Sequence, residues 1–173
     1  MGWARGQTVV IFTSLLCLLF SAVLATAAPA QCGRVTWVHD GDTIEVAGIG
    51  KVRLLGIDVP ERKTSPRDRY FTRQGVTPST LRNIHAMARD LVIELSYGQS
   101  ISLTTEHPTH DAYGRLLAYV TLPDGRMLNR ILLEKGCAVV YRRFDFSLKK
   151  DFLQAENEAR RTKRGMWGGP AAN

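Results

Sequence analysis

Residues 34–61 read RVTWVHDGDTIEVAGIGKVRLLGIDVPE, and this stretch decides the fold. It contains three short segments rich in β-branched and apolar residues, at 34–38, 43–46 and 51–55. A His-Asp-Gly-Asp turn separates the first two segments, and a Gly-Ile-Gly turn separates the last two. Short strands joined by tight turns predict an antiparallel meander. Pro60 ends it, because proline has no N–H to donate to a β-ladder.

The remaining sequence predicts two more strands and about three helices. Residues 61–75 are polar and basic, and we interpret them as a loop. Apolar residues at helical spacing between 81 and 95 predict a helix that is capped by Thr77 or Ser79 and closes near Gly98. The other predicted elements are a strand at 101–103, a polar loop at 104–114, a strand at 115–122, a helix at 127–134, an extended piece at 137–141 and a helix at 147–161. The prediction is therefore an α+β fold built on a five-stranded β-barrel of the oligonucleotide-binding (OB) type. Such barrels bind nucleic acids, sugars or proteins, so the fold alone does not determine the function.

The first thirty residues differ from the rest of the chain. Arg5 is the only charge among them, and Val9–Leu24 is almost wholly apolar and is followed by two Ala-x-Ala patterns. This is the pattern of a secretory signal peptide. It predicts cleavage near 27–30, leaving 31–173 as a single domain in a secreted, periplasmic or envelope protein. An uncleaved membrane anchor is the alternative, because the apolar run is close to the minimum length for spanning a bilayer.

Charge and cysteines narrow the possible partners and compartment. The chain has 23 Lys and Arg against 16 Asp and Glu, a formal charge of +7, which loss of Arg5 lowers by one. A basic surface favours polyanions such as nucleic acid, although it also serves simply to keep a small domain soluble. Cys32 and Cys137 predict one disulfide in an oxidising compartment. The alternatives are a buried thiol at Cys137 with a free or lipidated Cys32, and Gln31 argues against lipidation.

Three aspartates flank the predicted strands of the meander. Asp42 begins the second strand and Asp58 follows the third, and these ends coincide in an antiparallel pair. Because short carboxylates supply the hard oxygen ligands that Ca²⁺ and Mg²⁺ prefer, the two side chains could hold a cation. The alternative is that Asp40-Gly41-Asp42 only forms a hairpin turn.

One glutamate and two arginines could provide the chemistry beside such a cation. Glu61 lies three residues beyond Asp58, where it could act as a general base, or it could be an ordinary loop residue. Arg53 lies between apolar neighbours and Arg115 follows a Tyr-Gly turn. Two guanidinium groups on one phosphate would stabilise the charge of a five-coordinate transition state. The alternative for each is an ion pair with a nearby carboxylate.

Together these motifs resemble the staphylococcal nuclease (thermonuclease) family. The resemblance rests on Asp40-Gly41-Asp42-Thr43, on Arg53-Leu54-Leu55-Gly56-Ile57-Asp58-Val59-Pro60-Glu61 and on Asp111-Ala112-Tyr113-Gly114-Arg115. It also includes the segments Asp124-Gly125-Arg126-Met127-Leu128-Asn129 and Gly165-Met166-Trp167. The similarity spans roughly residues 34–167.

This resemblance implies a five-stranded barrel with three helices and a calcium site. By likeness, Asp42 and Asp58 donate carboxylate oxygens to Ca²⁺, and Val59 donates its backbone carbonyl. Asp40 resembles the carboxylate that orients metal-bound water.

The resemblance also implies the catalytic roles and the substrate. Glu61 would be the general base, and Arg53 and Arg115 would grip the reacting phosphate. Tyr113 resembles the tyrosine that hydrogen-bonds a terminal phosphate; a second is expected near Tyr141, where a length change leaves the register open. The implied activity is hydrolysis of DNA and RNA to products with 3′-phosphate ends, by a monomer with no stable membrane association. The rival interpretation is a barrel that binds nucleic acid without cutting it. Such a barrel is expected to have lost part of the site, but none of the five central residues is missing: Asp42, Arg53, Asp58, Glu61 and Arg115.

The segment 62–80 departs from the family pattern. It carries five basic residues, Arg62, Lys63, Arg67, Arg69 and Arg73. They either contact the nucleic acid backbone or form a solvated basic loop.

Overall fold

Five strands close into a barrel in the computed structural model, which describes Met1 and residues 31–169. The strands in chain order are β1 (Gln31–Asp40), β2 (Thr43–Val46), β3 (Gly50–Leu54), β4 (Ile57–Asp58), β5 (Ser100–His110), β6 (Leu116–Thr121) and β7 (Val139–Val140). The barrel order is β1-β2-β3-β6-β5, and β5 pairs back with β1. Only the β3–β6 pair is parallel among the barrel pairs; β4 and β7 form a separate antiparallel pair. The predicted α+β fold, with its antiparallel meander and five-stranded barrel, is confirmed.

Four α-helices pack on this barrel among the described residues. They are α1 (Asp68–Thr72), α2 (Pro78–Ser96), α3 (Leu128–Glu134) and α4 (Lys149–Arg161), and a 3₁₀ helix follows at Gly165–Gly168. The helix α2 begins after Thr77, whose hydroxyl accepts a hydrogen bond from the Thr80 N–H at 3.2 Å. Pro78 suits the first turn because the N–H that it lacks would have no helical partner there. The cap predicted at Thr77 or Ser79 is therefore at Thr77.

Two segments predicted as loops are partly regular structure. The prediction for 61–75 is wrong at α1, because Phe71 is buried and Asp68 forms an ion pair with Arg82 of α2 at 2.8 Å. The prediction for 104–114 is wrong up to His110, because β5 continues its pairing with β6 after an irregularity. In both places tertiary contacts stabilise a segment whose own composition is polar.

A buried amide joins the barrel to α3. Asn129 is fully buried, and its Oδ1 accepts the Val120 N–H at 2.9 Å. Its Nδ2 donates to the carbonyl oxygens of Leu55 at 2.9 Å and of Ala118 at 3.3 Å. One side chain thus hydrogen-bonds backbone groups at the end of β3 and along β6 and leaves its own buried amide with partners. The connection fixes the barrel close to the point where the chain turns toward Asp58.

Two expectations concern the ends of the chain. The signal peptide or anchor predicted in the first thirty residues lies outside the described residues. Within the part that is described, no helix has the length and apolar character needed to cross a bilayer.

Cys32 and Cys137 do not form the predicted disulfide: the Cys32 Sγ lies 3.5 Å from the Ser102 hydroxyl, and Cys137 is buried after α3.

Candidate active site

The loops at one end of the barrel surround a cleft of about 840 Å³. Every site residue that the sequence predicts lines it: Asp40, Asp42, Arg53, Asp58, Val59, Glu61, Tyr113, Arg115 and Tyr141. The residues are up to a hundred positions apart in the chain, so the fold alone brings them together. The structure thus places all of these groups around one cleft at one end of the barrel.

Strand register explains how the cleft is assembled. The antiparallel pairing of β2 with β3 sets Thr43 opposite Arg53, and the Leu54 N–H donates to the Asp42 carbonyl at 2.8 Å. The parallel pairing of β3 with β6 sets Arg53 opposite Leu117, two positions after Arg115, and the Arg115 Nη1 reaches the Thr43 hydroxyl at 3.4 Å. The turn before β2 needs Gly41, because a Cβ there would lie 2.6 Å from the Ala88 side chain of α2.

The guanidinium of Arg53 lies between the two predicted metal ligands. Its Nη1 contacts the Asp42 Oδ1, and its Nη2 lies 2.8 Å from the Asp58 Oδ1. Both carboxylates are buried, and Asp42 also accepts the Thr43 hydroxyl at 3.1 Å and the Val59 N–H at 3.2 Å. Both carboxylates therefore contact the same guanidinium. They lie close together, as the sequence predicts from the adjacent ends of β2 and β3.

The electrostatics of the aspartates follow from this burial. Burial opposes the ionisation of Asp42, but the charge of Arg53 and the hydrogen bonds to its carboxylate outweigh it, so the pKa of Asp42 lies below its ordinary value. Burial, and then the charge of Asp42, raise the pKa of Asp40 from 3.8 to about 7. The Asp42 N–H donates to the Asp40 Oδ1 at 3.1 Å, which holds the two side chains in one turn. The site thus concentrates more negative charge than Arg53 alone balances.

This donor set fits a hard divalent cation. Asp42 and Asp58 both line the cleft, and each has one carboxylate oxygen on the Arg53 guanidinium. No cluster of three or more His, Cys, Asp or Glu that could hold a metal is found in the described part of the chain. A cation held by two carboxylates keeps coordination positions for water and substrate oxygens, which suits Ca²⁺ with its flexible geometry.

Glu61 stands at the mouth of the cleft. It is partly exposed, and its Oε1 accepts a hydrogen bond from Arg67 at 2.7 Å. The preceding carbonyl, that of Pro60, accepts a hydrogen bond from the His85 Nδ1 at 2.9 Å. A side chain of α2 thus fixes the peptide between Val59 and Glu61, which limits the positions that the Glu61 carboxylate can reach.

Arg115 is held on the opposite rim. Its Nε and Nη2 lie 2.7 Å and 2.6 Å from the Asp111 Oδ2, and its Nη1 donates to the Thr43 hydroxyl at 3.4 Å. Asp111 also accepts the backbone N–H groups of Tyr113 and Arg115, so one carboxylate organises the whole turn. The Tyr113 side chain is 86% exposed and lies beside the Arg115 guanidinium, with 5.4 Å from Cζ to the ring centroid. The predicted alternative, an ion pair, is present, and it aims Arg115 into the cleft.

An aromatic and basic wall completes the cleft. The rings of Tyr141 and Phe144 lie 5.1 Å apart, and Arg142 donates to the Tyr70 hydroxyl at 2.8 Å. Arg142 also pairs with the fully buried Glu156 at 3.0 Å. Sequence reasoning placed Tyr141 here and treated Arg67 only as part of the basic segment 62–80. It assigned no role to the other lining residues Tyr70, His85, Arg142 and Phe144. No local pattern signals them, because their partners are distant in the chain.

The fold and the cleft define a class of protein, a small five-stranded β-barrel whose cleft gathers aspartate, glutamate and arginine side chains. Residues 51–169 match the family model described as Staphylococcal nuclease homologue. An uncharacterized endonuclease of Escherichia coli O157:H7 is 34% identical over 138 residues, covering 78% of this chain and 76% of that protein. A micrococcal nuclease of Shigella flexneri is 29% identical, covering 88% and 84% of the two chains. A thermonuclease of Staphylococcus hyicus is 29% identical, covering 86% and 82%. The chain therefore belongs to the staphylococcal nuclease family, and it is a nuclease, a hydrolase of phosphodiester bonds.

Proposed function

We propose that this nuclease is exported, depends on Ca²⁺ and hydrolyses DNA and RNA to products with 3′-phosphate ends. The observation that carries the proposal is the convergence of Asp42, Asp58, Arg53, Arg115 and Glu61 on one cleft. A barrel that only binds nucleic acid has no need of a carboxylate base beside two buried acids and two guanidinium groups. The relatives named as nucleases support the same choice.

Asp42 and Asp58, with the Val59 carbonyl, are the groups that would hold Ca²⁺. The ion would supply a positive charge to a nonbridging phosphate oxygen and lower the cost of bringing an anionic diester beside two acids. Asp40 lies next to Asp42 and would orient water around the ion. Arg53 remains within reach of the same oxygens, because it already lies between both ligands.

Glu61, Arg53 and Arg115 would perform the chemical step. The Glu61 carboxylate takes a proton from a water molecule, which attacks phosphorus opposite the 5′ oxygen. Arg53 and Arg115 approach the phosphate from two sides and stabilise the additional negative charge as the fifth bond forms. The bond to the 5′ oxygen breaks, the departing oxygen takes a proton from solvent to become a hydroxyl, and the phosphate stays on the 3′ side. Tyr113, exposed at the rim, and Tyr141, on the aromatic wall, would bind the substrate on either side.

We expect EDTA to abolish cleavage and Ca²⁺ to restore it. The test incubates the purified protein with single-stranded and double-stranded DNA and RNA in Ca²⁺, Mg²⁺ or EDTA, and identifies the product ends. Ca²⁺ should support the highest rate, because Mg²⁺ requires near-ideal octahedral geometry that two carboxylates and a carbonyl do not enforce. Undiminished cleavage in EDTA, or products ending in 5′-phosphate, would contradict the proposal.

Export is supported by the apolar run of Val9–Leu24 and the small residues after it. We expect the protein to be recovered from the periplasm or the medium with a new N-terminus near residues 28–31. N-terminal sequencing of the recovered protein tests this. Recovery of the full chain from the membrane fraction would instead support an uncleaved anchor.

A further inference from the structure

The basic segment between Glu61 and α2 sends one basic side chain into the cleft. Of its five Lys and Arg residues, Arg67 lines the cleft, whereas Arg62, Lys63, Arg69 and Arg73 do not. The sequence leaves two possibilities for these residues, contact with nucleic acid or a solvated loop. Only Arg67 lies where it could contact nucleic acid in the cleft.

The backbone at Arg67 is held by packing rather than left to a mobile loop. The Ser65 hydroxyl accepts the Arg67 N–H at 3.2 Å, and the next residue, Asp68, forms an ion pair with Arg82 of α2. Phe71, one turn further along α1, is buried. The start of α1 is thus fixed against α2, and it carries the Arg67 side chain to the cleft edge.

The Arg67 guanidinium bridges the two acidic groups that the proposed reaction needs. Its Nη2 contacts the Asp58 Oδ1, and its Nη1 lies 2.7 Å from the Glu61 Oε1. The same Asp58 oxygen is also paired with Arg53. A cation bound to Asp58, or a water molecule bound to Glu61, therefore competes with Arg67 for these oxygens.

Among the guanidinium groups of Arg53, Arg67 and Arg115, that of Arg67 is the one placed to move. Its side chain is 46% exposed, compared with 14% for Arg53 and 25% for Arg115. Arg53 has two aspartate partners and Arg115 is held by Asp111 through two nitrogens. When a cation and a water molecule take its carboxylates, Arg67 needs another anion, and the substrate brings phosphates into the same space. A guanidinium fork matches phosphate oxygens in geometry and charge.

Building on the proposed function, we propose that Arg67 is a substrate-binding residue: it pairs with Asp58 and Glu61 before substrate binds and transfers to a phosphate of the nucleic acid strand when Ca²⁺ and substrate bind.

The variant Arg67→Gln tests this through two affinities that should change in opposite directions. Without nucleic acid, calorimetric titration should show Ca²⁺ binding that is tighter by about 3-fold to 10-fold, because a competing charge at Asp58 has been removed. On an oligonucleotide at saturating Ca²⁺, KM should rise by about 10-fold or more, because a charge-assisted phosphate contact is lost. Structural damage alone would weaken both affinities.

Arg69→Gln is the matched control, since it removes the same charge two residues further along the same segment, at an exposed side chain outside the cleft. It should leave both values near those of the unmodified protein. Ca²⁺ binding that is unchanged or weaker in Arg67→Gln, or two variants that behave alike, would overturn the role of Arg67 while leaving the proposed function standing. Failure of the unmodified protein to bind Ca²⁺ or cut nucleic acid would overturn the proposed function itself.

Discussion

Replacing Glu61 with glutamine is expected to lower kcat by about 10³-fold, in the range by which a positioned general base accelerates a reaction. Glutamine keeps the size of the side chain and an oxygen that can accept the hydrogen bond from Arg67, but it cannot take a proton from water. The loss should therefore fall on kcat and leave KM close to its original value, because the substrate contacts of Arg53 and Arg115 remain.

Single-turnover cleavage of a labelled oligonucleotide at saturating Ca²⁺ measures this effect directly. Thermal unfolding and Ca²⁺ titration of the same variant should match those of the unmodified protein within error. Glu94→Gln, at an exposed position of α2 away from the cleft, controls for the loss of one negative charge. If Glu61→Gln cut at the original rate, Glu61 would not be the base, and a different acceptor for the proton would be required.

Strand patterns were enough to predict where the acidic groups meet. The alternation in residues 34–55 specifies which residues face the core and where each strand ends, and those ends place Asp42 beside Asp58. The helix α2 could also be predicted from the sequence, because its apolar spacing and the Thr77 cap are both local signals. Such features depend on residues that are close in the sequence, so the sequence alone is enough to predict them.

The contacts that organise the rest of the site depend on distant partners. The His85 side chain meets the Pro60 carbonyl across 25 positions, and Arg142 meets the Tyr70 hydroxyl across 72. The short helix α1 was missed for the same reason, because it is stabilised by burial of Phe71 and by the ion pair of Asp68 rather than by its own propensity. A basic composition at 62–80 indicates an anionic partner but does not show which arginine would reach it.

Arg53 should be the residue whose loss affects stability most within the cleft. Arg53→Ala leaves Asp42 buried without its counter-charge and removes one of the two guanidinium partners of Asp58. Breaking a buried pair in this way typically costs about 3–5 kcal/mol. The lowered pKa of Asp42 agrees: ionised Asp42 stabilises the fold above its ordinary pKa of 3.8, and this contribution is lost as the pH falls through the lowered value. The loss of unfolding free energy caused by Arg53→Ala should therefore be greatest at neutral pH.

Arg115→Ala provides the comparison that separates stability from catalysis. Its ion pair with Asp111 lies on a more exposed rim, so its removal should cost about 1 kcal/mol or less. Both variants should lose about 10²-fold to 10³-fold in turnover, since each removes a charge that meets the transition state. Urea unfolding in EDTA should then give a much lower free energy of unfolding for Arg53→Ala than for Arg115→Ala. Added Ca²⁺ should raise the unfolding free energy of Arg53→Ala more than that of the unmodified protein, because the ion supplies the charge that Asp42 and Asp58 have lost. Equal stability of the two variants in EDTA would show that Arg53 does not neutralise these acids, and the assignment of Asp42 and Asp58 as one cation site would lose its main support.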